Sequence, residues 1–121
     1  METYNAAVQA FNRGSVTTAR RAFQQFLQEY PNDPLAPDAH YYLADLLVQE
    51  DRLDEAIQAF LRIPELFPTA EKVPDALYRV GVVYILMDQL EDARQYLERV
   101  INNYPGTTAA QAAQDRLDGI S

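Results

Sequence analysis

Few side chains in this sequence could do chemistry, and their spacing does not assemble them into a catalytic set. His40 is the only histidine, and there is no cysteine. A lone histidine without a cysteine or a matched carboxylate does not make a metal site, so we interpret His40 as a partly buried packing residue. No Ser-His-Asp arrangement, P-loop or glycine-rich cradle is present. We therefore expect no catalytic residue, no metal and no cofactor, and predict that the protein is not an enzyme.

Neighbouring carboxylates are the next candidates for chemistry. They occur at Glu50-Asp51, Asp54-Glu55 and Glu91-Asp92. One interpretation is that they are acid/base pairs. However, they fall at turns and at the starts of predicted helices, where negative charge stabilises the helix dipole. We favour the dipole interpretation.

A series of tyrosines could form a binding surface instead. Tyr4, Tyr41 and Tyr78 lie 37 residues apart. A helix turns by about 100° per residue, so residues at helical spacing from each tyrosine share its face. Aromatic and aliphatic side chains with a few acids are typical of a protein-binding groove. The predicted groove consists of Tyr4, Val8, Phe11, Asn12, Asp38, Tyr41, Asp45, Val48, Gln49, Tyr78, Val82, Ile85 and Leu86. The alternative is that the tyrosines pack against neighbouring helices and that a last helix covers Val82 and Leu86.

The segments that carry these tyrosines repeat with the same period. Equivalent positions are Ala19, Ala56 and Ala93; Phe23, Phe60 and Leu97; and Pro31, Pro68 and Pro105. Each of these prolines follows an aromatic residue and ends a predicted helix, because proline disfavours helix at the residue before it. Gly14, Asp51 and Asp88 occupy equivalent turns. The sequence therefore predicts an all-α chain with three copies of one helical hairpin.

Apolar spacing predicts the individual helices. They are expected at about Glu2–Asn12, Ser15–Tyr30, Pro37–Gln49, Leu53–Phe67, Pro74–Met87 and Leu90–Asn103, with a last helix at about 107–118. Ser15, and Thr107 or Thr108, are predicted N-caps. Pro37 and Pro74 suit first turns, whereas Pro64 should kink or fray its helix.

Small residues indicate where the two helices of a hairpin cross. Gly81 and Ala93 should lie at the crossing of the third hairpin, because larger side chains would push the helices apart. Val80, Tyr84, Leu90, Leu97 and Ile101 should fill the space around that contact.

The third copy carries a recognisable pattern. Leu77, Val80, Gly81, Tyr84, Ala93, Leu97 and Pro105 follow the spacing L-x2-V-G-x2-Y…A-x3-L…P. This resembles the tetratricopeptide repeat (TPR), with Leu77 in place of its Trp and Leu97 in place of its Phe. The usual period is about 34 residues, and the extra residues here follow the closing prolines.

The resemblance implies a TPR-like α-α superhelix. We expect a single domain over 1–121, with repeats at about 1–31, 37–68 and 74–105 and a C-terminal capping helix at about 107–118. The tyrosine series then lines the concave groove, where a protein or peptide partner would bind.

A narrower resemblance concerns the segments FLQEYPND, VINNYPGT and YPGTTAAQAAQDRL. They are similar to the C-terminal TPR domain of the periplasmic Tol-Pal system family of YbgF/CpoB cell division coordinators. This resemblance implies a TolA-like partner, a periplasmic location and a role in coupling outer-membrane constriction to peptidoglycan synthesis. The same segments resemble TPR lipoproteins of outer-membrane assembly. A cytoplasmic regulatory TPR module and a self-associating unit (a homo-oligomer) remain alternatives.

The formal net charge of −8 bears on the partner. It disfavours nucleic acid and anionic membrane surfaces, which need clustered Lys and Arg. It favours a basic partner, unless it serves only solubility. No apolar run approaches the length of a membrane helix, so no membrane insertion is expected. The first residues lack the pattern of a signal peptide, and the first repeat begins at once, so we expect an excised domain or a mature segment with a new Met.

Overall fold

The computed structural model describes residues 2–120, which are helical apart from short connections, as the sequence predicted. Every predicted helix is present, and its ends lie within two residues of the expected positions. Within residues 2–120 no helix is long and apolar enough to cross a membrane. Met1 and Ser121, which the predicted domain bounds include, lie outside the described residues. The helices are α1 (Glu2–Asn12), α2 (Val16–Glu29), α3 (Ala36–Gln49), α4 (Leu53–Leu66), α5 (Val73–Leu86), α6 (Leu90–Asn103) and α7 (Thr108–Ile120).

The turns that end α1, α3 and α5 share one geometry. Gly14, Asp51 and Asp88 all have left-handed backbones, with φ of 78°, 61° and 59°. The following amide donates to a carbonyl five residues earlier in every copy, from Ser15 to Ala10 and, one repeat later, from Arg52 to Leu47. This bond and the left-handed residue are the marks of a Schellman helix end, which glycine and, less readily, aspartate adopt. The three predicted turn residues are thus equivalent in structure as well as in spacing.

Proline and threonine define several other helix ends. Pro37 and Pro74 lie in the first turns of α3 and α5, as predicted, where a missing N–H leaves no carbonyl unpaired. Thr107 caps α7: its hydroxyl accepts a bond from the Ala110 amide at 3.1 Å and donates to the Tyr104 carbonyl at 2.7 Å. The prediction for Ser15 is wrong in part. Ser15 precedes α2, but its side chain makes no capping bond, since its ψ of 79° falls short of the extended backbone of a cap.

The crossing of α5 and α6 is as close as its small residues indicated. Gly81 and Ala93 are both buried. A Cβ atom added to Gly81 would lie 2.7 Å from Leu97 Cδ2 and 3.5 Å from the Ala93 carbonyl oxygen. Val80 and Leu97 are fully buried beside this contact, as predicted. The prediction for Leu90 is wrong: it is 37% exposed, because it is the first residue of α6 and lies next to the turn.

The chain divides into two compact units, of which the first extends to Ala59 and the second begins at Phe60. In the first unit, α2 packs against both α1 and α3. In the second unit, α5, α6 and α7 pack against one another, so α7 covers part of the hairpin before it. A buried cluster fills the first unit; its members are Ala7, Ala10, Ala19, Phe23, Phe26, Ala39 and Leu46.

Candidate functional site

The predicted groove residues of the first unit lie on α1 and α3. Tyr4, Val8 and Phe11 are partly buried against the core cluster of that unit. Asp38, Tyr41, Asp45 and Val48 are partly buried along α3, whereas Asn12 and Gln49 are exposed. The α1 side chains therefore pack against the core of the first unit, while part of each stays exposed.

Tyr4 is the clearest case of a predicted groove residue with a packing role. Its ring centroid lies 5.3 Å from that of Phe26, 6.0 Å from that of Phe23 and 6.5 Å from that of Tyr42. Burial, followed by the negative charge of Asp38 and the Tyr42 ring, raises the pKa of Tyr4 to about 12. Tyr4 thus lies near enough to Asp38 to feel its charge, but its ring packs against the aromatic rings of the core.

Tyr42 is a residue that the sequence reasoning missed. Its ring stacks on Phe23, with centroids 4.8 Å apart and planes 12° apart, and meets Phe11 edge-on at 4.8 Å. It joins α3 to both helices of the preceding hairpin. The available sequence signal was the 37-residue period, which makes Tyr42 equivalent to Arg79 and Phe23 equivalent to Phe60. In the structure, the Arg79 guanidinium lies over the Phe60 ring, 5.4 Å from its centroid. The side chain at this repeat position therefore covers the equivalent aromatic ring in each unit. Tyr42 covers Phe23 in the first unit, and Arg79 covers Phe60 in the second.

The predicted groove residues of the second unit all lie on α5. Tyr78, Val82 and Ile85 are partly buried, and Leu86 is 59% exposed, the largest exposed fraction among the large apolar side chains of residues 2–120. The capping helix α7 therefore leaves Leu86 uncovered, contrary to the alternative considered for it. Four apolar or aromatic side chains at helical spacing form a stripe along α5.

Arg116 on α7 is the second residue that sequence reasoning missed. Its Nε donates to Tyr78 Oη at 3.3 Å, across 38 residues of chain. Tyr42 follows Tyr4 by the same interval of 38 residues. In each unit, therefore, a tyrosine of the series contacts the helix that follows its own hairpin, which is α3 for Tyr4 and α7 for Tyr78. The 37-residue period places Arg116 at the position equivalent to Tyr42 and Arg79. This equivalence was the sequence signal that could have identified Arg116.

The acidic pairs have ordinary structural roles. Asp54 and Glu55 lie in the first turn of α4, and Glu91 and Asp92 in that of α6, as the dipole interpretation predicted. Exposed arginines also pair with glutamates: Arg94 contacts Glu91 at 2.6 Å, and Arg52 contacts Glu55. Such surface pairs contribute little to stability. His40 is partly buried on α3, and among residues 2–120 no three His, Cys, Asp or Glu side chains are grouped as a metal site would need.

Comparisons with known proteins agree with this arrangement of helices. Tetratricopeptide repeat models match residues 4–71 and residues 75–107. The crystal structure of MamA has a TM-score of 0.71 and 24% identity, over 97% of this chain and 66% of MamA, so the chain spans about two thirds of that protein. The N-terminal domain of stress-induced protein-1 from C. elegans has a TM-score of 0.74 and 14% identity, over 94% of this chain and 91% of that domain. No curated protein matches the chain.

The structural likenesses, all below 25% identity, show the fold, and the repeat model that spans 4–71 covers more than half of the chain. Proteins of this fold are generally non-catalytic scaffolds that bind other proteins. The 37-residue period, the shared turn geometry and the matches over both halves lead to the same conclusion. The chain belongs to the tetratricopeptide repeat family.

Proposed function

We propose that this chain is a protein-interaction scaffold of the bacterial envelope. Each unit binds a partner on the helices that begin its hairpins, which are α1 and α3 in the first unit and α5 in the second. The observation that carries the proposal is the stripe of Tyr78, Val82, Ile85 and Leu86 on α5. Leu86 exposes 59% of its surface to solvent. Apolar and aromatic side chains left uncovered in this way are typical of the centre of a protein interface.

Charge favours a basic partner at the first unit. Asp38 and Asp45 lie on α3 beside Tyr41, and the net charge of the chain is −8. Opposite charge on a partner would accelerate association, and salt would weaken this effect. We expect Asp38→Lys and Asp45→Lys to slow association, and more so at low salt.

The narrower resemblance supplies the first partner to try. The segments ending in YPND and YPGT, and the sequel in α7, support a role in Tol-Pal-linked cell division in the periplasm, with a TolA-like protein as partner. The residues upstream of Met1 in the natural gene would test the compartment directly. A signal peptide followed by heptad repeats would agree with this family, and a cytoplasmic fusion partner would contradict it.

Calorimetric titration with a TolA fragment tests both the partner and the surface. Loss of a central aromatic anchor weakens binding by about 30-fold, so Tyr41→Ala and Tyr78→Ala should each have an effect of that order. Tyr30→Ala is the matched control, because Tyr30 is an exposed tyrosine that follows α2, outside the proposed surface. Parent-like binding by both groove variants would show that the surface is wrong, and no binding by the parent chain would exclude the TolA-like partner.

Self-association is the second candidate function, because exposed Leu86 and Leu90 flank the turn between α5 and α6. Sedimentation of the isolated chain separates the two functions. A monomer at all concentrations supports binding of a different protein. A dimer that Leu86→Asp dissociates would support self-association instead.

A further inference from the structure

We propose that Arg116 and Tyr78 of the second unit bind an acidic side chain of the partner, and that an aliphatic side chain of the same partner docks on Leu86. This inference rests on the protein-binding function proposed above and specifies the partner's chemistry at one part of that surface. It concerns α5 and α7 alone.

Arg116 and Tyr78 together carry more hydrogen-bond donors than they use within residues 2–120. Arg116 Nε donates to Tyr78 Oη at 3.3 Å, which is the one hydrogen bond of the Arg116 side chain within residues 2–120. A guanidinium has five N–H donors, so four stay available, and the phenol that accepts the bond keeps its own proton to donate. A carboxylate can accept from both groups at once, and charge-assisted bonds of this type are the strong ones. The pair therefore suits an anion.

Arg116 is one of five exposed arginines that have no ion-pair partner within residues 2–120, and the other four are Arg13, Arg21, Arg62 and Arg99. Of these five, Arg116 alone makes a hydrogen bond to a tyrosine of the predicted groove. Arg20, Arg52 and Arg94 each lie against a glutamate of this chain. Arg116 has no carboxylate within ion-pair distance in the described part of the chain, although acidic residues outnumber basic ones by 18 to 10. A cation left without a counter-ion in an acidic protein is a charge that a partner can complement.

Arg116 occupies a repeat position that has a different role in the first unit. Its occupant in the first unit is Tyr42, whose ring seals the core against Tyr4, Phe23 and Phe11. At Arg116 a charge replaces that ring, and the contact with the tyrosine of the series becomes a hydrogen bond. At this repeat position the first unit therefore has Tyr42, which covers the core, whereas α7 has Arg116, an exposed hydrogen-bond donor.

The stripe on α5 sets the spacing that a partner needs. Tyr78 and Leu86 are eight residues apart on one helix, which is about 12 Å along its axis. A partner would span this distance with about eight residues of helix or about four residues of extended chain. Because the net charge of −8 repels acidic segments, we expect a single Asp or Glu in an otherwise uncharged or basic segment.

A peptide display library tests the inference without a known partner. Random peptides of about 16 residues accommodate either spacing, and selection on the whole chain is followed by counter-selection on Arg116→Gln. We expect enriched peptides to carry Asp or Glu about four or eight positions from Leu, Ile or Phe. In fluorescence anisotropy, Arg116→Gln should weaken the consensus peptide at least about tenfold, as loss of a hydrogen bond to a charged group does.

Three controls sharpen the result. Arg99→Gln removes an exposed arginine of α6 that lies over the Tyr96 ring at 5.9 Å, and it should leave affinity unchanged. Tyr78→Phe removes only the hydroxyl and should have a smaller effect than Arg116→Gln. A peptide whose acid is replaced by Lys should recover binding to Arg116→Glu, which a purely structural role of Arg116 would not produce.

Each outcome decides between the two proposals. If Leu86→Asp abolishes peptide binding and Arg116→Gln does not, the apolar surface stands and the acidic partner residue is wrong. If neither variant changes binding, both proposals are wrong. A library that yields no binder, or only basic consensus peptides, also contradicts the inference.

Discussion

Gly81→Ala should lower the stability of the chain, although alanine is the better helix former. The added Cβ would lie 2.7 Å from Leu97 Cδ2 and 2.9 Å from Leu97 Cγ, and Leu97 is fully buried. Because both atoms belong to a side chain enclosed by the core, Leu97 cannot move away freely. The steric cost of the added Cβ at the close crossing of α5 and α6 therefore acts against the stabilisation that alanine's higher helix propensity would give.

The two effects can be compared in magnitude. Alanine in place of a helical glycine stabilises by about 0.5–1 kcal/mol, and one extra carbon in a packed core costs about 1–3 kcal/mol. We expect a net loss of roughly 0.5–2 kcal/mol in the free energy of unfolding. Gly119→Ala is the matched control, because Gly119 lies in α7 with nothing within 4 Å of an added Cβ. That change should stabilise by a few tenths to about 1 kcal/mol.

Urea unfolding followed by circular dichroism measures both variants, and a double-mutant cycle with Leu97→Ala isolates the contact. Leu97→Ala alone should cost about 2–5 kcal/mol. In the double variant the shortened side chain leaves room for the new Cβ, so the loss should be smaller than the two separate losses together, by about 1–3 kcal/mol. If Gly81→Ala stabilises as Gly119→Ala does, or if the cycle is additive, the crossing is not where we place it.

Three further predictions follow from the turns, from α7 and from Tyr4. Gly14→Ala should cost about 1 kcal/mol in urea unfolding, and Asp88→Gly should gain up to about 1 kcal/mol, because both positions are left-handed; equal effects of the same sign would contradict this. Deletion of residues 108–121 should uncover the sides of α5 and α6 that α7 packs against and cause association in sedimentation; a monomer as stable as the parent would refute it. The pKa of Tyr4 is raised from its ordinary value of 10.0 to about 12 in the folded chain, so the unfolded chain loses this proton first and stability falls between these pH values. Tyr4→Phe should therefore lose less stability than the parent between pH values of about 9 and 11, and an equal loss would show that Tyr4 is not buried.

The site was less predictable than the helices for a physical reason. Spacing placed Tyr4 and Tyr78 at equivalent positions, but how far each ring is exposed depends on side chains far away in sequence. Phe26 and Tyr42 cover Tyr4, whereas Arg116 reaches Tyr78 across 38 residues. Periodicity identifies a face of a helix and contains no information about the packing partner of that face. Whether these tyrosines bind a partner stays a prediction.

The sequence by itself determined the all-α class, the repeat, the helix ends and the close crossing at Gly81. These features depend on local chemistry: the backbone restrictions of proline, the left-handed turns of Gly14 and Asp88, and the missing side chain of glycine. Only the tertiary structure decided that Leu90 is exposed, that Tyr42 seals the first unit and that Arg116 faces Tyr78. Those outcomes depend on which helices meet, because burial and charge environment are properties of neighbours that lie one repeat or more away along the chain.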